Sequence, residues 1–393
     1  MKFLYVYLFS LCLLVSTNAA GQEWKNECVG YYQLELPAGL ETALYVITNI
    51  THPPKEPVSR SGILVQRTRN PVITFGVKAR ESGDDRVQAQ FSYFNYDNYD
   101  LVIFSEESNL INLSEYKKKV ISDYDFNINS RRQIEKRRLR VLDEPLTLEN
   151  EFNRLHGFLI KDYNNAFSAY EFRDYILHIS SGKRLYQFWS KRDNYLEDKS
   201  QKAENQWHKK EPEVKSLLSR FSTRDLYEVP AKQGFCIPYG FIANDSGHES
   251  HNMAVTYRLK DHPDVTILFQ TLTSDPGPGN NRPKFDMNEK EYVTEFWNRI
   301  YGVKFRDIKL YGKGFSYPKI DGRKAVAAFA KFTRYDKSVD YGYVAYVKGK
   351  TPDEPTIMFF VMRKGTQATV HPPFDHEELE KMAEHIVASI KKR

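Results

Sequence analysis

Gly234-Phe235-Cys236-Ile237-Pro238-Tyr239-Gly240-Phe241-Ile242 is the stretch on which the reading of this chain turns, because its setting resembles that of Cys28-Val29-Gly30 near the other end. Each cysteine stands ahead of an alternating apolar run, the period-two pattern of a half-buried strand. The pairing predicts two modules, each opening on a Cys-containing strand. In an oxidising compartment Cys28 and Cys236 could close one bridge.

Working outward from Cys28, residues 1–20 read as a signal peptide: Lys2 supplies a positive start, Phe3 to Val15 an apolar core, and Thr17-Asn18-Ala19-Ala20 a small-residue exit. Cleavage is expected near Ala19 or Ala20. The third cysteine, Cys12, follows Leu11 where a lipoprotein signal wants a small residue, so no lipid anchor is expected. No later segment approaches the roughly 20 apolar residues of a spanning helix, so stable membrane insertion is not expected either. With 41% hydrophobic and 14% aromatic residues the chain can fill packed cores. Its formal charge of +6 is spread over many residues of both signs. Nucleic acid is therefore not an implied partner, and an acidic protein or an anionic membrane surface both fit.

The first module is expected over residues 21–225 and the second over 226–393. In the first, Tyr32, Leu34 and Leu36 share one side of a strand, and further strands are expected at Ala43–Ile50, Gly62–Gln66, Val72–Val77 and Asp100–Phe104. A loop is read at residues 52–61. Leu113–Val120 reads as an amphipathic helix, Asn153–Asp162, Ala166–Phe172 and Tyr175–Ile179 as short strands, and Ala203–Phe221 as a helix interrupted at Pro212. The boundary falls at Ser222–Gln233, around Val229-Pro230. The second module reads as a meander, with strands at Met253–Leu259, Val265–Thr271, Lys324–Phe332, Tyr341–Val347 and Thr356–Met362. A loop at Asp275–Pro283 leads to a helix capped by Asp286, with Val293, Phe296, Trp297 and Ile300 as its stripe and Gly302 at its end. The last helix is the clearest, since Asp375 with Glu378 forms a capping box and Leu379, Met382, Ala383, Ile386, Val387 and Ile390 recur at three and four. The fold class is α+β: two modules, each a mainly antiparallel sheet with a few packed helices.

Catalytic signatures are missing. There is no Gly-x-Ser-x-Gly turn, and Ser181-Gly182 and Asp245-Ser246-Gly247 are ordinary turns. His248 and His251 lack the i, i+4 helical spacing of a zinc hydrolase and read as a surface pair. The Asp275 to Asn281 loop has no Lys-Ser/Thr after its glycines, so it is not a phosphate loop. No metal, cofactor or catalytic residue is nominated. Two stretches stand out as surfaces instead: Phe91 to Tyr99, rich in aromatics, reads as a strand with buried rings or as a binding surface. Arg131 to Arg140, with six basic residues in ten, reads as a solvated face or as a docking patch.

Tyr227-Glu228-Val229-Pro230 followed by Gly234-Phe235-Cys236-Ile237 and Gly240-Phe241-Ile242 resembles the start of the C-terminal domain of the two-domain immunity proteins that protect Gram-negative bacteria from type VI secretion lipase effectors, in the family paired with the fourth effector class. Cys28-Val29-Gly30 with Leu34-Glu35-Leu36-Pro37 is similar to the opening of that family's N-terminal domain. The resemblance implies a periplasmic protein that binds a phospholipase toxin and inhibits it by stoichiometric occlusion, without a cofactor and as a monomer when free. A bridge between Cys28 and Cys236 would restrict rotation between the modules and lower the ordering cost of gripping a partner. The residues the partner touches are not indicated. A periplasmic hydrolase of another type and an envelope adhesion or structural protein are the alternatives.

Overall fold

The computed structural model describes residues 22–45, 58–60, 63–65, 73–75, 78–79, 92–104, 112–142, 158–171, 174–190, 203–273, 288–295, 297, 305–312, 314–351 and 353–393. The expected leader, most of the 52–61 loop, the Asp275–Pro283 loop, the Asp286 cap and Gly302 lie outside the described residues.

The chain opens on β1 (Trp24–Val29), β2 (Tyr32–Pro37) and β3 (Leu40–Tyr45). Tyr32, Leu34 and Leu36 point into the core, as their alternation requires. Gly30 turns the β1–β2 hairpin at φ +60°, and a Cβ there would meet the Met253 sulfur at 2.8 Å, so only glycine fits this close approach. Short strands follow at β4 (Val58–Arg60), β5 (Ile63–Val65), β6 (Ile73–Phe75) and β7 (Lys78–Ala79). Next come β8 (Tyr93–Tyr96), β9 (Tyr99–Ile103) and the long helix α1 (Leu113–Leu142). The meander β10 (Phe158–Tyr163), β11 (Ala166–Glu171), β12 (Asp174–Ser181) and β13 (Arg184–Ser190) leads to α2 (Ala203–Arg220).

Helix α2 runs through Pro212 without the expected interruption. Its hold on neighbours explains this. Just before the proline Lys161 of β10 pairs with Glu211, which Lys215 also reaches one turn on, and just after it Val214 and Leu217 are buried. Tertiary contacts on both sides outweigh the local cost of a helix-interior proline.

The remaining strands are β14 (Phe221–Thr223), β15 (Gly234–Ile237), β16 (Gly240–Ala243), β17 (His251–Leu259), β18 (Val265–Leu272), β19 (Phe305–Leu310), β20 (Lys319–Ile320), β21 (Arg323–Lys324), β22 (Val326–Arg334), β23 (Val339–Val347), β24 (Thr356–Arg363) and β25 (Lys391–Lys392). Helix α3 (Glu289–Glu295) precedes β19, and α4 (His376–Ser389) follows β24. Asp375 caps α4 by accepting hydrogen bonds from the backbone N–H groups of Glu377 and Glu378, and Leu379, Met382, Ala383, Ile386 and Val387 are its buried stripe.

One antiparallel sheet organises the molecule, in the order β10-β11-β12-β13-β9-β8-β17-β18-β24-β23-β22-β19. Strands before the linker occupy one side of this order and strands after it the other. The seam is β8 against β17, where Tyr96 stands opposite His251 and Tyr93 opposite Ala254. The two halves are α+β layers joined edge to edge. A continuous core on one face takes residues of both halves together with the buried stripe of α4 and Val214 and Leu217 of α2. On the other face, Tyr292, Val293 and Trp297 pack over the C-terminal half, while Tyr116 of α1 packs over the N-terminal half. The N-terminal hairpin crosses the seam: β2 pairs with β25, the last strand of the chain, and β3 pairs with β17.

Candidate functional site

Where the halves meet, four remote pieces of chain converge on the two cysteines. The disulfide Cys28–Cys236 links the end of β1 to the middle of β15, with the Cα atoms 5.7 Å apart and a separation of 208 in sequence. Both cysteines are fully buried against Phe241. The two strands exchange backbone hydrogen bonds beside the bridge, Gly30 N to Cys236 O at 2.8 Å and Cys236 N to Gly30 O at 3.0 Å. The last residue closes the cluster. Arg393 places Nη1 2.8 Å from Cys28 Sγ and 3.2 Å from Cys236 Sγ, while Nη2 donates to the carbonyls of Pro230 and Lys232. Its backbone N–H donates to Tyr31 O at 2.9 Å.

A buried ion pair fastens the linker to the same hairpin. Arg224 donates to the Glu27 carboxylate, and also to the carbonyls of Cys28 at 2.7 Å, Glu228 at 3.0 Å and Asp225 at 3.1 Å. Glu27 in turn accepts from the backbone N–H of Tyr227. Burial pushes the Glu27 carboxyl above its ordinary 4.5, against the pull of Arg224. Tyr227 donates its hydroxyl to Pro37 O at 2.7 Å and receives Leu40 N–H at 3.1 Å, so the linker is stitched along the whole hairpin; burial raises this phenol to about 12. On the N-terminal side, the Tyr186 hydroxyl donates to Tyr239 O at 2.7 Å, and the Arg184 guanidinium lies 3.7 Å above the Tyr239 ring. The β15–β16 hairpin is thus held from both halves.

A second polar cluster sits beside the seam. The Tyr31 hydroxyl lies 2.7 Å from Asp245 and 2.8 Å from Glu249, its one proton shared between the two carboxyls, and Tyr96 donates to Asp245 at 3.1 Å. Burial, with the neighbouring Asp245, holds both phenols far above their usual value, so they stay donors. Burial also raises the Asp245 carboxyl; at Glu249 burial acts the same way, but the Ser246 N–H and Tyr31 hydroxyl outweigh it and the carboxyl is lowered. These carboxylates are fixed by hydrogen bonds from within and serve to pin the 245–249 loop over β2 and β8.

His248 and His251 are parted by the structure. The exposed His248 pairs with Asp353, whereas His251 is buried in β17, with Nδ1 3.1 Å from Glu249 O. Burial holds the His251 ring down at about 4, so it is a neutral core side chain and not half of a surface pair. Among the described residues no group of three or more His, Cys, Asp or Glu side chains could hold a metal ion. The aromatic stretch is the seam itself: Tyr93, Phe94 and Tyr96 are buried, and Phe91 lies outside the described residues. The basic run Arg131 to Arg140 belongs to α1, which continues 22 residues beyond the expected end at Val120. Sequence reasoning missed Glu27, Arg224 and Arg393. The one signal available was Glu27, a charge set directly beside a cysteine, which the structure places at the end of β1 and not at the opening of a strand.

The architecture is a pair of sheet halves locked at their seam, and the comparisons give its likeness. Residues 228–393 match the family model described as Tle cognate immunity protein 4 C-terminal domain. An immunity protein binds an effector and is not an enzyme. The whole fold is similar to that of the immunity protein TplEi of the type VI secretion system of Pseudomonas aeruginosa in complex with an "L" peptide, at 15% identity and TM-score 0.52, over 94% of this chain and 98% of that one. The apo form of TplEi gives 14% identity, TM-score 0.50 and coverages of 94% and 97%. A chain of the crystal structure of a Tle4-Tli4 complex gives 14%, 0.51, 94% and 97%. No curated protein matches the sequence.

Proposed function

We propose that the protein is exported to the periplasm, where it neutralises a phospholipase effector of the type VI secretion system by binding it one to one and holding it occluded. The observation that carries this reading is the family match over residues 228–393, set in a fold whose likeness to immunity proteins extends over 94% of the chain. Two features support the compartment. Residues 1–20 have the pattern of a leader, and the bridge between Cys28 and Cys236 belongs to oxidising surroundings. Among the described residues no helix is long and apolar enough to cross a membrane.

The locked seam gives inhibition its physical basis. An inhibitor acts by binding the inactive arrangement of its target better than the active one, and the difference in affinity sets how far the target is shifted. A clamp whose halves are already fixed by the disulfide, the Glu27–Arg224 pair and the β8–β17 ladder loses little freedom on binding, so more of its contact energy appears as affinity. No nucleophile or acid–base pair is required for this task. Titrating a purified type VI secretion phospholipase of the fourth effector class with the purified chain tests the reading: hydrolysis should fall linearly to near zero at a one-to-one ratio, and an unchanged rate at excess inhibitor overturns it.

A further inference from the structure

Helix α1 carries nine basic and four acidic residues, a net charge of +5 on 30 residues, where the whole chain carries +6. Nearly all of the protein's excess charge therefore sits on one element. Its first half is anchored: Tyr116, Tyr124 and Ile128 form a buried stripe, Tyr124 stacks on Phe158 at 4.0 Å, and Tyr116 receives a hydrogen bond from Gln187 at 2.6 Å. Away from that stripe, Lys119, Phe126, Ser130, Gln133 and Arg137 follow one another at helical spacing and are all exposed. Phe126 is 73% exposed and Ile134 63%, two of the most exposed large apolar side chains among the described residues.

Two ordinary explanations fall short. Cations near a helix C-terminus complement its dipole, but that effect is confined to the last turn, whereas the basic run spans Arg131 to Arg140. A solvated face explains the charges but leaves Phe126 and Ile134 without a purpose. A protein partner also fits poorly, because the centre of a protein interface is depleted of Lys and built around clustered apolar anchors, which two separated side chains do not supply. Dense positive charge with an isolated apolar side chain, Phe126, opposite the buried stripe, and with Ile134, about five turns on from Tyr116, laid bare where the helix runs past its anchored half, is the pattern of an element lying at the surface of an anionic bilayer.

We propose that the exposed side of α1 binds an anionic lipid surface, reversibly and through lipid phosphate headgroups. The charge supplies attraction of about fivefold in affinity for each basic residue near the surface, and Phe126 and Ile134 enter the headgroup layer. The lipid contact stands by itself; its use, holding the inhibitor where a phospholipase acts, rests on the function proposed above.

The test is co-sedimentation of the purified protein with vesicles of equal parts phosphatidylglycerol and phosphatidylcholine, against vesicles of phosphatidylcholine alone, in about 0.1 M and about 1 M salt, where the screening length falls from about 10 to about 3 Å. Binding should favour the anionic vesicles at least about tenfold and vanish at high salt. Neutralising Lys118→Gln, Lys119→Gln and Arg137→Gln together should weaken it about a hundredfold, while the charge-keeping set Lys118→Arg, Lys119→Arg and Arg137→Lys should bind as the unaltered protein does. Both sets should inhibit the lipase fully on a water-soluble ester, which separates failure of lipid binding from failure of inhibition. Equal binding to both vesicles, binding to neither, or undiminished binding after neutralisation overturns the proposal. So does loss of lipase inhibition by the neutralised set with vesicle binding intact, which would make α1 a dock for an acidic protein. Should the neutralised chain fail to fold, the two-vesicle comparison decides.

Discussion

The two halves of the sheet are built to different standards. In the C-terminal half β17, β18, β22, β23 and β24 run eight or nine residues each, most positions are buried, and α4 is capped and fully striped. In the N-terminal half β12 and β13, at eight and seven residues, are comparably long and buried, but β8 and β9 run only four and five, and α1 is covered along one stripe; the edge strands β10 and β19 are partly exposed in both halves. The N-terminal hairpin does not reinforce its own side; it pairs with β25, and His385 of α4 stacks on Trp24 at 3.8 Å and meets Glu35 at 2.7 Å. Both ends of the chain thus brace the half that matches the family model. Long-range cross-links are thus concentrated at the seam and on its C-terminal side.

The comparison can be broken most severely at the bridge. Replacing Cys28 and Cys236 together by alanine removes a constraint on a loop of 208 residues, worth about 5 kcal/mol by loop-closure entropy. Denaturant unfolding of the oxidised protein against this variant should show a loss approaching that size. A loss near zero would mean that the hairpin is held without the bridge. The buried pair comes next: Arg224→Met strands Glu27 in the core and should cost about 3–5 kcal/mol at neutral pH. Because burial already lifts the Glu27 carboxyl, that carboxyl takes up a proton in the variant as the pH falls, and the deficit should shrink on acidification. A deficit independent of pH contradicts the assignment of the charge.

The smallest effect sharpens the picture of the N-terminal half. His178, buried in β12 and stacked on Phe167 at 4.4 Å, has its ring held down at about 3 by burial, against an ordinary 6.5. The unfolded chain therefore binds a proton that the folded chain refuses between these values. Stability is full above about 6.5 and drains as the pH drops, by about 2 kcal/mol between pH 7 and pH 5. His178→Leu should remove that part of the slope, read from denaturant midpoints at the two pH values; an unaltered slope would place the effect elsewhere.

Local patterns made much of this fold legible. The Leu379 to Ile390 stripe, the Asp375 cap and the alternation of Tyr32, Leu34 and Leu36 each express a period within one element, and all three hold. Strand β13 escaped notice because Arg184 and Gln187 interrupt its apolar run, and only the fold shows why both are buried: Arg184 lies on Tyr239 and Gln187 bonds Tyr116. The continuation of α1 past Val120 was missed because only Tyr124 and Ile128 are buried there among the described residues, and polar and charged residues fill most of the remaining positions. The seam could not be read at all. Pairing of β8 with β17 and of Arg224 with Glu27, 197 residues apart, depends on contacts that no local period records.

One measurement bears most directly on the whole account. The purified protein, with Cys28 and Cys236 oxidised, is added stepwise to a type VI secretion phospholipase of the fourth effector class while fatty-acid release is followed. A break at one equivalent with nearly complete inhibition, and no hydrolysis by the protein alone, is the expected result. Lipase activity unaffected at excess protein, or turnover of lipid by this chain unaided, would contradict it.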